Sequence, residues 1–305
     1  MIPFAGGDWP TQSPFPAGDE RPWPLRKSTL DWQRDGMTPN QAFPERIVCL
    51  TEETTETLYL LGEDWRIVGI SGFTVRPPRA RKEKPRVSAF TSAKIDRIVE
   101  LQPDLVLGFS DLQADIAAEL IRAGIEVHVF NHRSVAEILR TIGVIGGMVG
   151  CEAKATELVA RLTAGLDEVR ARAASLPRRP RVYFEEWDEP QISGIRWVSE
   201  LIGIAGGDDC FPELAAESLG KNRIIPDPLE VPRRAPDIIL GSWCGKKFQP
   251  STVKARAGWS DVPAVRGDFV REIKSSLILQ PGPAALTDGV ADIQRIILHW
   301  ADMIP

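Results

Sequence analysis

A chain of 305 residues, 43% apolar and 26% charged, is long enough to bury the cores of two lobes of ordinary domain size. Its net charge of -5, with no basic tract interleaved with aromatics, argues against a general nucleic-acid binder. Cys49, Cys151, Cys210 and Cys244 are scattered with no C-x-x-C pair, so there is neither a zinc signature nor a disulfide framework.

Residues 1–43 are rich in Pro, Gly and Trp and read as an irregular arm carrying Trp9, Trp23 and Trp32. They hold no apolar run long enough for a signal-peptide core, and no run of about 18 apolar residues follows, so no membrane insertion is expected. As written the chain is expected in the cytoplasm, or in the periplasm if a leader was removed or the start misassigned.

Beyond the arm, short apolar strands alternate with helices, the pattern of an α/β lobe with a mostly parallel sheet. Strands are expected at Arg46–Leu50, Ile67–Ile70, Asp104–Gly108 and Glu126–Phe130, with helices at Thr55–Leu61, Ile95–Leu101 and Ala114–Ala123. The stretch Ser71–Pro85 reads as a loop. Ser134-Val-Ala-Glu137 has the form of a capping box and opens a helix that ends near Gly146-Gly147. A second helix runs from about Glu152 to Ser175, with Leu158, Leu162, Leu166 and Val169 as one apolar stripe; it reads as a beam joining two lobes.

After the beam the pattern restarts. Strands are expected at Arg181–Phe184, Asp237–Gly241 and Phe269–Ile273, helices at Ile195–Ile204 and Ala284–Met303, and a loop at Glu185–Ser193. Pro103-Asp-Leu-Val-Leu-Gly108 is echoed by Pro236-Asp-Ile-Ile-Leu-Gly241, and Glu52-Glu53 by Glu185-Glu186, as in a duplicated lobe. The expected organisation is an arm (1–43), an N-terminal lobe (44–133), connecting helices (134–177) and a C-terminal lobe (178–305). Ligands of open parallel sheets bind outside the carboxyl ends of the strands, so two such lobes would enclose a cleft.

The run Arg46-Ile-Val-Cys-Leu-Thr-Glu-Glu-Thr-Thr-Glu-Thr-Leu-Tyr-Leu-Leu-Gly62 is followed by Val68-Gly-Ile-Ser71, Pro77-Pro78, Ile95-Asp-Arg-Ile-Val-Glu-Leu-Gln-Pro-Asp-Leu-Val106 and the long helix. In this ordered set the chain resembles a class III substrate-binding protein of ABC importers, the type that carries cobalamin or ferric siderophores, over about 46–303. The resemblance implies two Rossmann-like lobes joined by a rigid helix, with little hinge closure. It implies aromatic side chains gripping a corrin: Phe73 and Phe90 fall at two such places. In the second lobe the region of the expected Trp reads Lys221-Asn-Arg-Ile224, and Trp187 and Trp243 lie on neighbouring loops. It also implies an acidic residue on each lobe that docks onto an ABC permease. Asp96 matches the first and Glu230 the second with a one-residue shift.

Candidate ligand-binding residues follow from strand ends and loops. Glu52, Glu53, Glu185 and Glu186 either face the cleft or cap the following helices. Trp187 and Trp243 either present a flat face with one N–H donor or belong to a lobe core. Arg76 in the loop after the second strand, Ser110 and Asp111 after the third, and Arg196 at a helix start stand at the cleft. Lys246 meets an anionic group or is solvated, and Cys244 is a soft ligand or a packing residue. His132 coordinates a cobalt or iron centre from below or bonds within its loop. No nucleophile elbow, H-E-x-x-H or G-x-G-x-x-G occurs. The expected function is therefore capture of a bulky small molecule, most simply a corrinoid, by a monomer with no cofactor of its own and no catalysis. A ferric-siderophore or haem binder is the alternative within the class, and a cytoplasmic enzyme or corrinoid-handling protein on the same fold is the alternative outside it.

Overall fold

In the computed structural model, residues 42–303 are described, and they carry ten short strands in two sheets. The expected arm with its three tryptophans lies outside the described residues apart from its last two positions. The first sheet holds β1 (Ile47–Cys49), β2 (Ile67–Ser71), β3 (Arg86–Ser88), β4 (Leu105–Phe109) and β5 (Val127–Phe130) in the order β3-β2-β1-β4-β5, with every pairing parallel. The second holds β6 (Arg181–Asp188), β7 (Gln191–Ser193), β8 (Asp208–Asp209), β9 (Ile238–Gly241) and β10 (Val270–Glu272). There β10, β9, β6 and β8 run parallel and β7 returns antiparallel along the outer half of β6.

Helices cover both sheets, as parallel strands require. In the first lobe these are α1 (Glu52–Leu61), α2 (Ala80–Glu83), α3 (Ile95–Glu100) and α4 (Ala114–Arg122); between the lobes are α5 (Val135–Met148) and α6 (Glu152–Ala173). The second lobe carries α7 (Arg196–Ala205), α8 (Pro212–Ala215), α9 (Glu230–Arg234), α10 (Pro250–Lys254), α11 (Pro263–Arg266), α12 (Ser275–Ile278) and α13 (Val290–Met303). The fold is α/β, two Rossmann-like lobes joined by a long helix.

The echo between the lobes has a physical cause. Asp104 accepts hydrogen bonds from the Glu45 and Arg46 amides at 2.7 and 2.9 Å, tying β4 to the entry of β1. Asp237 does the same in the second sheet, accepting from the Arg181 amide at 2.8 Å and from the Arg178 guanidinium at 3.0 Å. The glycine closing each motif is set by close approach: a Cβ on Gly108 would lie 2.9 Å from Gln113 Oε1, and one on Gly241 only 1.8 Å from the Phe248 ring. The recurring P-D-x-x-x-G is thus a strand tied at its start and crowded at its end.

The capping box forms as expected. Ser134 Oγ accepts from the Glu137 amide and Glu137 accepts from the Ser134 amide, so α5 starts sharply. At 22 residues, α6 is about 33 Å long. Its stripe of Leu158, Leu162, Leu166 and Val169 is buried, each leucine contributing roughly 2 kcal/mol by burial. That stripe joins the core that also takes in Val135 and Ile142 of α5, Trp197 of α7 and Ile297 of α13. The lobes therefore share one apolar seam.

Two element readings need correction. Glu185–Ser193 is not a loop: β6 continues to Asp188, turns at Glu189-Pro190 and returns as β7, pairing Glu185 with Ser193 and Asp188 with Gln191. Acidic residues and proline suggest a loop locally, but the backbone pairing of the hairpin overrides that preference. Ser71–Pro85 contains the short α2, and β3 follows it.

Candidate ligand-binding site

The carboxyl ends of both sheets meet. Gly282, beyond β10, packs on Glu53 at the start of α1, and His132, after β5, reaches the Pro281 carbonyl. The Cys244 thiol is raised by partial desolvation and then by the charges of Glu186 in the second lobe and Glu52 in the first. Across the same gap the guanidinium of Arg133, after β5, feels that of Arg223; burial and this repulsion hold Arg133 below its usual range, against the opposing charges of Asp111 and Glu137.

On the first lobe, Glu52 and Glu53 occupy the first turn of α1. Burial pushes the Glu52 carboxyl up to about 8, with the charges of Glu53 and Glu56 adding to the effect. Burial pushes Glu53 up to about 7, although Thr51 donates to its Oε1 at 2.5 Å. Gly282 packs against Glu53 so closely that a Cβ would come within 2.4 Å of the Glu53 Cβ. Phe73, in the turn after β2, is 52% exposed, an open aromatic face. Phe90 is half-buried against the core. Ser110 is buried and accepts from the Leu112 amide, whereas Asp111 is exposed with Arg133 at 3.9 Å.

Two first-lobe candidates belong to the junction rather than to an open wall. His132 is buried, its Nε2 sits 2.7 Å from the Pro281 carbonyl, and burial pushes its pKa down to about 4. A carbonyl oxygen only accepts, so Nε2 carries the proton and is closed to a metal. Arg76 donates to Glu56 at 2.8 Å and to Asp288 at 2.7 Å, which fastens its loop to the segment before α13. The expectation of a ligand-facing Arg76 is corrected accordingly. His132 bonds through Nε2 to the opposite lobe rather than within its own loop, while its Nδ1 is buried without a partner.

On the second lobe the adjacent glutamates part company because successive strand residues point to opposite faces. Glu185 is fully buried in the lobe core, where Arg256 donates to it at 2.5 and 3.0 Å, Trp243 Nε1 at 3.0 Å and Tyr183 at 3.1 Å. Glu186 stays partly exposed and takes both Nη groups of buried Arg223 at 2.7 and 2.9 Å. Trp243 is only 4% exposed, packed edge-on against Phe248. Glu185 neither faces an open cleft nor caps a helix, and of the two readings of Trp243 the lobe core is the one observed, since its ring and its N–H are both satisfied inside the lobe. Trp187 remains half-buried, with Nε1 bonded to the Glu189 carbonyl.

Lys246 lies over the Trp187 and Trp243 rings at 4.6 and 4.8 Å and pairs with Asp188 at 2.6 Å. Arg196 is exposed and paired with Glu200 one turn along α7. Asp96 is exposed on α3, while Glu230 on α9 is already bonded by Arg233 and Arg234 at 2.6 and 2.9 Å. Cys244 is exposed.

A pocket of about 240 Å³ opens beyond the ends of β9 and β10, lined by Ser242, Trp243, Lys246 and residues 272–276. Its lining residues Ser242, Glu272 and Lys274, and the arginines Arg133, Arg223 and Arg256 that neighbour or pair with the predicted acids, were not among the residues expected from the sequence. The strand-end position of 272–276 was the available signal; the arginines act over long separations and left none. Among the described residues no group of three or more His, Cys, Asp or Glu is arranged to hold a metal ion, and no helix is long and apolar enough to cross a membrane.

Two Rossmann-like lobes joined by a long helix, with a polar pocket at the carboxyl ends of β9 and β10 of the second lobe, are the architecture of a two-lobed binding protein. The chain belongs to the periplasmic binding protein family, whose model matches residues 47–277. It is 26% identical to an uncharacterized ABC transporter substrate-binding lipoprotein of Bacillus subtilis, over 83% of this chain and 80% of that one. It is 24% identical to the vitamin B12-binding protein of Vibrio parahaemolyticus, over 79% of this chain and 86% of that one. Among solved structures it is similar to the periplasmic vitamin B12 binding protein of Vibrio cholerae, with a TM-score of 0.68 at 21% identity over 86% and 99% of the two chains. A periplasmic heme-binding protein of Roseiflexus matches with a TM-score of 0.71 at 23% identity over 83% and 99%.

Proposed function

We propose that the chain captures a corrinoid between its lobes and delivers it to an ABC permease without chemical change. The observation that carries this reading is the alignment with a vitamin B12-binding protein along 79% of the chain. The open face of Phe73 and the half-exposed ring of Trp187 support it, since an extended apolar macrocycle is gripped by aromatic surface from two sides. A binding role without catalysis accords with the substrate-binding relatives. The expectation of a cytoplasmic location finds no support in the family or its relatives; the periplasmic alternative fits both. On this reading the protein acts as a monomer, and exposed Asp96 offers a permease arginine a partner more readily than Glu230, whose carboxylate is already committed.

The test is titration of the purified protein with cyanocobalamin, followed by quenching of tryptophan emission. A saturable quench is expected, and Phe73→Ala should weaken it roughly tenfold, the equivalent of about 1.4 kcal/mol of lost aromatic burial. Hemin and a ferric siderophore form the comparison arms. Saturation by either of these with cobalamin inert would sink the corrinoid reading.

A further inference from the structure

At about 240 Å³, the pocket beyond β9 and β10 is smaller than the roughly 300–1,000 Å³ of sites that enclose a whole drug-sized molecule. It admits a side group of a ligand while the macrocycle stays outside. Its polar lining is Ser242, Lys246, Glu272, Lys274, Ser275 and Ser276, with the edge of buried Trp243 behind them. Ser242 is 2% exposed and its Oγ has no hydrogen-bond partner. Leaving a buried hydroxyl unpaired costs about 1–3 kcal/mol, so the pocket gains from a guest that can bond to it.

The charges say what kind of guest. Lys246, an exposed residue, is paired with Asp188 at 2.6 Å, which leaves Lys274 as cation and Glu272 as anion. A carboxylate entering here would gain from the ammonium and be repelled by Glu272; an ammonium would meet the reverse. A neutral carboxamide uses both, because its oxygen accepts from Lys274 or a serine hydroxyl while its NH₂ donates to Glu272. We propose that this pocket receives a carboxamide side group of the ligand. The assignment rests on the corrinoid reading, since a corrin with amide side chains presents such groups around its rim and a porphyrin with propionates presents carboxylates.

The experiment compares two probes on the full chain: dicyanocobinamide, with its side-chain amides intact, and the same corrin with those amides hydrolysed to carboxylates. Glu272→Ala should weaken the amide corrin about three- to tenfold and tighten the carboxylate corrin, a divergence in sign expected from one hydrogen bond lost against one repulsion removed. Lys274→Met should weaken both, and Lys82→Ala, on an exposed surface helix, should change neither. If Glu272→Ala leaves the amide corrin unchanged or tightens it, the carboxamide assignment is overturned while the corrinoid reading survives. If the wild-type chain binds neither corrin, the corrinoid reading fails and takes the assignment with it.

Discussion

Arg256→Ala will separate a structural anchor from a ligand-facing acid at Glu185. The Glu185 side chain is fully buried, and Arg256 supplies two of its four hydrogen bonds. Removing one partner of a buried pair costs about 3–5 kcal/mol, because the remaining charge is left uncompensated. Trp243 and Tyr183 keep bonding to the carboxylate, which puts the expected loss near the lower figure, roughly 3 kcal/mol. At about 2–4 °C per kcal/mol for a chain of this size, the melting temperature should fall by roughly 6–12 °C. Thermal unfolding followed by circular dichroism measures this directly. Adding Glu185→Gln to the variant should recover much of the loss, since the uncharged amide is far cheaper to bury. A melting point within about 1 °C of wild type, against the loss expected for a buried pair, would refute the anchoring role.

The pH response of stability has two opposed parts. The folded chain holds protons on Glu52 and Glu53, raised from 4.5 to about 8 and 7, that the unfolded chain has released; stability should therefore fall as pH rises from about 4.5 through 8. Glu52→Gln should flatten that fall in melting temperature, and a slope equal to wild type would contradict the burial effect. His132, lowered from 6.5 to about 4, works in the other direction: stability is lost as pH falls through that window, and His132→Gln should remove that loss in an acid titration. Ligand binding should move the lobes little, since the junction is fastened by His132 to Pro281 at 2.7 Å, Glu56 to the Ala284 amide at 3.0 Å and Arg76 to Asp288 at 2.7 Å. X-ray scattering curves of free and loaded protein should nearly superimpose; marked compaction on loading would exclude a fixed junction.

What the sequence determined by itself was the part governed by local and periodic rules. The capping box at Ser134, the leucine stripe of α6, the short apolar strands and the two P-D-x-x-x-G motifs all rest on interactions within a helix turn, a strand or one adjacent strand pair, and all were legible. The family's fold was legible from the order of those marks. The face taken by each polar side chain was decided by partners far along the chain. Glu185 and Glu186 are neighbours of the same type, yet one is buried against Arg256, 71 residues away, and the other pairs with Arg223, 37 residues away. Trp243 looked like a loop aromatic until Phe248 and Glu185 enclosed it. His132 could only be given to the junction once Pro281, 149 residues on, supplied its carbonyl. Periodicity reports which residues face a core, because helix and strand repeats are local. Which charge meets which depends on how separate elements pack, and a buried charge must find its partner wherever packing brings one.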